Sequence, residues 1–431
     1  MKKSKFIQST IILMLGGFIT KILGMVIKII MTRFLGAEGI GVYMLISPTF
    51  SLFIALAQLG FPVAISKLVA EDRRNNKNLV FSVIPISLIM NLVLMLILII
   101  GGRIITDVFL HEPRTYLGII SIGFVLPFIS ISSILRGYFF GKEKMFPHVL
   151  SNVLEDIVRL ILIFLFLPYF LTKGIEITVA FLILSNILSE LTSILVFFFF
   201  LPKGFKIEKK DFIVQKQNMK DILGISIPTT GSRLIGNIGY FLEPIILTST
   251  LLAIGYSNSF IVKEYGIISG YVLPLLLLPS FFTMAISQAL IPVVSKSYSR
   301  GNKIHTKKKI NQAIFFSLLI GIPITICFEL FPEFFLYFLY HSIDGVEYLK
   351  ILAPICIFHY VQAPLTSALQ AMGEAKVAMN GTILGVISRT ALLFICSLMK
   401  IGLWGLVIAT SVNILLVTVH QGRHVKRILK T

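Results

Sequence analysis

The sequence predicts an all-α membrane protein that crosses the bilayer about twelve times, as two six-helix lobes related by a parallel repeat. Three observations carry that prediction: an apolar composition, a one-sided distribution of basic residues, and echoes between the two halves. Of 431 residues 56% are hydrophobic and 14% charged, with a mean hydropathy of +0.91, far too apolar for a fold with a wet surface. One crossing takes roughly 20 apolar residues. Such runs fall near 8–31, 39–66, 79–101, 117–135, 149–172, 177–201, 221–252, 265–295, 310–330, 348–371, 378–399 and 402–419.

The formal charge of +19 raises nucleic acid as a partner, but the positions of the basic residues exclude it. With the N-terminus taken as cytoplasmic, the tails and alternate loops carry 27 of the 39 Lys and Arg, among them Arg73, Arg74, Lys203 and Lys206, and the outer loops carry seven. Excess Lys and Arg in short cytoplasmic loops orients membrane helices, so the reading is a multi-pass cell-membrane protein with both termini inside. The start, Met1-Lys-Lys-Ser-Lys5, imitates a signal peptide, yet its apolar run is too long and is followed by eleven more. Cys327, Cys356 and Cys396 lie in or beside apolar runs without metal or disulfide spacing and read as packing residues.

The polar stretch 202–220, with six lysines, divides the chain into an N-terminal lobe at 1–201 and a C-terminal lobe at 221–431. The halves echo each other. Gln58-Leu-Gly-Phe-Pro62 answers Gln288-Ala-Leu-Ile-Pro292, Glu38 with Pro48 answers Glu264 with Pro274, and Gly141-Lys-Glu-Lys144 answers Gly373-Glu-Ala-Lys376. Arg159 and Arg389 follow the last pair inside the apolar runs, and all these offsets lie between 226 and 232 residues. Parallel repeats of this kind build transporters whose substrate site lies where the lobes meet. Pro48, Pro62, Pro274 and Pro292 fall in the corresponding helices and are candidate bending or gating positions.

Charge inside a bilayer is costly and marks a cavity or a partner. In the first run Gly17, Thr20, Lys21, Gly24 and Lys28 share one helical face. The two ammonium groups stand about 10 Å apart at ~1.5 Å per residue, which fits a cavity wall; the competing reading of Lys28 is snorkelling to the outer interface. The seventh run repeats the design, with Thr229, Arg233, Gly236, Asn237, Tyr240 and Pro244 on one face and Glu243 beside it. Facing each other, the two stripes make a positive chamber suited to an anionic headgroup. The competing reading pairs Arg233 or Glu243 with another ion. Glu155 and Arg159 have the spacing of an ordinary ion pair, Glu190 and Arg389 have no evident partner, and His359 reads as a packed side chain.

These residues carry a resemblance. The strings Arg33-Phe-Leu-Gly-Ala-Glu-Gly-Ile-Gly-Val-Tyr43, Gly60-Phe-Pro-Val-Ala-Ile-Ser-Lys67, Leu135-Arg-Gly-Tyr-Phe-Phe-Gly141 with Met145-Phe-Pro147, Tyr240-Phe-Leu-Glu-Pro244, Glu264-Tyr-Gly266, Gly270-Tyr-Val-Leu-Pro274 and Leu278-Pro-Ser280 resemble the sporulation branch of the MOP flippase superfamily. That superfamily also holds lipid II flippases and polysaccharide exporters. The resemblance implies a transporter, not an enzyme. It would pass an undecaprenyl-type lipid-linked sugar, a peptidoglycan precursor for the spore cortex, through a cationic central cavity by alternating access. It implies membrane lipids as surroundings, a possible coupling ion, a monomer, and no cofactor or metal. Lys21 stands just before Ile22-Leu-Gly24, where basic residues of the lipid II flippases line the cavity, and Lys28 follows. Set against that resemblance, the chain is expected to lack the extra C-terminal helix pair that some relatives have.

Three other classes compete. A cation-coupled multidrug antiporter of the same superfamily would want free acids in its cavity, whereas the intramembrane acids here mostly stand near a base. A membrane glycosyltransferase needs paired carboxylates at the surface, and Glu71-Asp72, set among Arg73, Arg74 and Lys77, reads as a solvated turn. A non-transporting scaffold in spore-envelope assembly would not need its intramembrane cations.

Overall fold

Gly36 breaks a 57-residue helical stretch in two: its φ of 64° and ψ of −176° lie where only glycine rests without strain. In this computed structural model residues 2–71, 76–202, 208–213 and 216–430 are described, and every regular element among them is helical. Asp72, Arg73, Arg74, Lys203 and Lys206 lie outside the described residues, as do the rest of 203–207 and residues 214–215 of the 202–220 stretch. The first helices are α1 (Lys2–Gln58), α2 (Phe61–Ala70), α3 (Asn76–Phe81) and α4 (Val83–Arg103). They continue as α5 (Tyr116–Gly141), α6 (Met145–Leu171), α7 (Ile175–Phe200) and α8 (Lys216–Ala253). The second half holds α9 (Asn258–Gly266), α10 (Leu273–Leu276), α11 (Ser280–Ser299), α12 (Lys303–Leu330), α13 (Pro332–Tyr340), α14 (Val346–Ala371), α15 (Ala375–Ser397) and α16 (Trp404–Lys430).

Ten helices among the described residues are long and apolar enough to cross a membrane, against about twelve apolar runs in the sequence. Two differences account for this. The runs 8–31 and 39–66 count as one stretch, Leu15–Ala70, because α1 resumes directly after Gly36. And α6, although 27 residues long, carries Glu155, Asp156 and Arg159 in mid-helix. The run 265–295 is not one helix either. A π-helical turn, Ile267–Val272, leads into α10, and the chain restarts at Ser280 after Pro279.

The prolines divide into two kinds. Pro48 and Pro292 sit inside α1 and α11, and Pro274 lies within the unbroken helical stretch Asn258–Leu276, just past the π-helical turn, whereas Pro62 stands in the first turn of α2, where the missing N–H would have had no helical partner anyway. Pro62 therefore opens a new helix, while the other three stand within helical stretches.

The chain resolves into two units, Met1–Phe241 and Leu242–Thr431, with the boundary inside α8. In the first unit Phe61, Ile65 and Val69 of α2 pack with Leu79 and Phe81 of α3, Leu135 and Phe139 of α5, Phe197 of α7 and Ile222 of α8, all buried. Between lipid-facing helices the attraction is close van der Waals contact, so small residues set the approach. Gly137 and Gly141 on α5 do this. A Cβ on either would stand 2.7 Å from a backbone oxygen of α2, that of Pro62 or of Ser66. Gly137→Leu therefore has no rotamer to escape into, and the purified protein is expected to lose about 1–3 kcal/mol or more of stability, read as a lower thermal midpoint in detergent; an unchanged midpoint would refute the close crossing.

The polar stretch is anchored where it is described. Asn78 donates to the carbonyls of Asp211 (3.3 Å) and Ile213 (3.2 Å) and accepts from Asn218 (3.1 Å), and Lys77 pairs with Asp211 at 2.6 Å. In the second unit Leu290 and Val294 of α11, Ile310 of α12, Leu365 and Leu369 of α14 and Val425 of α16 form the core. The Tyr360 hydroxyl donates to the Leu276 carbonyl at 2.7 Å, which satisfies a backbone group at the broken end of α10.

The repeat is visible as equivalent anchoring. Glu38, after the Gly36 break, accepts from Arg114 at the foot of α5, and Glu112 holds the same guanidinium through two further bonds of 2.7 and 2.9 Å. Glu264, its echo, accepts from the Tyr348 hydroxyl at 2.6 Å, at the foot of α14. Each glutamate thus ties the second membrane run of its half to the start of the fourth.

Candidate functional site

The intramembrane cations separate into paired and open ones. In α6 Arg159 reaches Glu155 at 3.0 Å and Asp156 at 3.9 Å, and Arg136 of α5 reaches Glu155 at 3.6 Å. Glu190 of α7 is buried, and its Oε2 has no hydrogen-bond partner among the described residues. Arg389 of α15, which has no partner in its own sequence neighbourhood, pairs with Glu243 of α8 at 2.5 Å. The Tyr265 hydroxyl donates to the other oxygen of Glu243 at 3.3 Å. Glu243 is 4% exposed and lies past Phe241, in the second unit. Its place beside the α8 stripe is therefore that of an anchor, held by a residue 146 positions away that only complementary charge in two apolar runs could have announced.

Lys21 and Arg233 are different. Both are exposed, and neither makes an ion pair or hydrogen bond among the described residues. The glycines beside them open onto space: a Cβ added at Gly17 or Gly24, flanking Lys21, or at Gly231 or Gly236, flanking Arg233, would meet nothing within 4 Å. Lys28 is half-buried, and its ammonium donates to the Met44 sulfur at 3.2 Å, across the Gly36 break; a thioether is a weak acceptor and leaves the charge uncompensated. Asn237 is half-buried on α8, and Thr229 closes on its own helix at the Ile225 carbonyl, 2.8 Å away. Lys21, Lys28, Arg233 and Asn237 all belong to the first unit. The stripes are thus two helix faces with ammonium and guanidinium donors unspent on acids, the chemistry that receives a phosphate or carboxylate.

The comparisons with known proteins agree with this picture of the fold. Residues 6–298, more than half of the chain, match the family described as polysaccharide biosynthesis protein. The chain belongs to that family. Within the second half, residues 268–395 also match the MatE family. Among relatives, stage V sporulation protein B of Bacillus subtilis (strain 168) is 35% identical over 442 residues, covering 100% of this chain and 85% of its own. Lipid II flippase MurJ of the same organism is 22% identical over 419 residues, covering 90% and 77%. Among solved structures, a multidrug resistance MATE family transporter of the MOP superfamily, in its inward-facing conformation, superposes with a TM-score of 0.73 at 20% identity, covering 95% of this chain and 94% of that one. The polysaccharide biosynthesis protein family member described here therefore has a MATE/MOP transporter fold, all-α and multi-pass.

Proposed function

We propose that the protein is a flippase that carries a lipid-linked oligosaccharide, a peptidoglycan precursor for the spore cortex, across the cytoplasmic membrane, with Lys21 and Arg233 receiving its anionic headgroup. The observation that carries this reading is the division of the cations: Arg136, Arg159 and Arg389 are consumed by acids, while Lys21 and Arg233 stand open in apolar helices beside unfilled glycine notches. A charge with no partner is tolerated at membrane depth only where water or a ligand reaches it. Lys28 and Asn237 extend the same two faces, and alternating exposure of those faces to the two sides of the membrane moves the headgroup. The relationship to stage V sporulation protein B and to a lipid II flippase supports the substrate class. The reading includes two six-helix lobes, 1–201 and 221–431, joined by 202–220. It also includes cytoplasmic termini set by the basic loops, and a monomer.

A cation-coupled antiporter is the second reading, favoured by the MatE match at 268–395 and by the buried Glu190. Against it, Glu155, Asp156 and Glu243 are already engaged by arginines. The test is reconstitution into liposomes with a fluorescent lipid-linked disaccharide-peptide, following its exposure to an external quencher. Protein-dependent exposure is the expected result. No movement under any ion gradient or voltage, with the protein folded and inserted, would favour the scaffold instead.

A further inference from the structure

On the second unit, α12, α14 and α16 enclose a groove of about 540 Å³ that has no part in the stripes of α1 and α8. Its inner wall is apolar, formed by Phe358, Val361, Leu365 and Val419. Its rim carries Lys307 from the start of α12 and Arg423, Lys426 and Lys430 from the end of α16. Among the described residues no carboxylate lines it and none of the four cations makes an ion pair. All four are exposed. From Thr418 to Lys430 the α16 wall runs twelve residues, about 18 Å along a helix at ~1.5 Å per residue. That is close to the depth of one leaflet, half of a hydrocarbon core of about 30 Å. The groove is kept open by Gly422, where an added Cβ would meet only the Leu365 side chain, at 3.9 Å.

We infer that this groove binds an anionic diacyl phospholipid, its chains against the apolar wall and its phosphate at the Lys307, Arg423, Lys426 and Lys430 rim. Charge complementarity selects the occupant. An ordinary lipid-facing surface offers acyl contact without headgroup preference, whereas four cations without ion pairs along the rim of an apolar recess favour a lipid of net negative charge. A basic or neutral peptide helix would find no acidic side chain in this lining to pair with. The site is independent of the transport reading, because it uses neither Lys21 nor Arg233.

The test uses the full chain purified in a neutral detergent and examined by native mass spectrometry with phosphatidylglycerol and phosphatidylcholine of identical acyl chains. One phosphatidylglycerol is expected to be retained at least tenfold over phosphatidylcholine. Lys307→Gln with Arg423→Gln and Lys426→Gln should abolish the preference, and Gly422→Phe, which fills the groove and keeps every charge, should abolish retention itself. Equal retention of the two lipids by the unaltered chain would overturn the proposal without reference to any variant. So would unchanged selectivity in a folded triple variant, or preferential retention of a single-chain polyprenyl phosphate, which would make the groove a seat for the transported lipid.

Discussion

Arg389→Ala is expected to destabilise the second unit by about 3–5 kcal/mol, the cost of leaving a buried carboxylate uncompensated. Glu243 is 4% exposed and its charge is met by Arg389 at 2.5 Å, with the Tyr265 hydroxyl as the remaining partner. No other cation pairs with it among the described residues. Glu243→Ala should cost a similar amount, since it strands the guanidinium, whereas Glu243→Gln with Arg389→Gln should recover much of the loss because neither side chain is then a bare ion. The thermal midpoint of the purified protein in detergent reads all three. A midpoint unmoved by Arg389→Ala would show that the pair holds nothing together.

Gly60→Ala is the second large effect. Gly60 has φ of 63°, and a Cβ there would lie 2.7 Å from the Ser226 carbonyl oxygen and 3.2 Å from its Cα, both backbone atoms of α8. Two independent faults add: about 1–2 kcal/mol for a left-handed L-residue, and overpacking of about 1–3 kcal/mol against an atom that has no rotamer to change. The variant should lose roughly 2–5 kcal/mol, while alanine at Gly174, where the φ of 105° is as unfavourable but nothing lies within 4 Å, should lose only the conformational part. Equal losses at the two positions would mean that the approach of Gly60 to α8 carries no weight.

The Gly60 elbow also shows what sequence reasoning reached and where it stopped. Hydropathy, the one-sided lysines and the paired echoes led to an all-helical, multi-pass transporter, and Glu38 and Glu264, read only as an echo, prove to be equivalent anchors, to Arg114 and Tyr348. A second echo takes different forms in the two halves. Gln58-Leu-Gly-Phe-Pro62 and Gln288-Ala-Leu-Ile-Pro292 read as one feature, but Gly60 permits a positive φ that its counterpart, Leu290, does not. The first half therefore breaks into α1 and α2, while α11 runs on through Pro292 as a helix with Leu290 buried at 5% exposure. The break in the second half moves upstream, to Pro279. Lys21 and Arg233 stand out in the sequence because a cation on an apolar face is conspicuous. The Glu243–Arg389 pair was not, because spacing rules reach only four residues along a helix and say nothing about partners on different helices.

The central claim is that the open cations, and not the paired ones, meet the substrate, and one measurement tests it most directly. Lys21→Gln and Arg233→Gln are compared with the parent for transbilayer movement of lipid-linked disaccharide-peptide in liposomes, alongside Lys21→Arg as the charge-preserving control. Losing one charge-assisted contact, about 1.5–3 kcal/mol, corresponds to a roughly 10- to 100-fold slower rate at ~1.4 kcal/mol per factor of ten, with the thermal midpoint unchanged and Lys21→Arg near the parent. Two glutamine variants that insert, fold and transport at the parental rate would contradict the account.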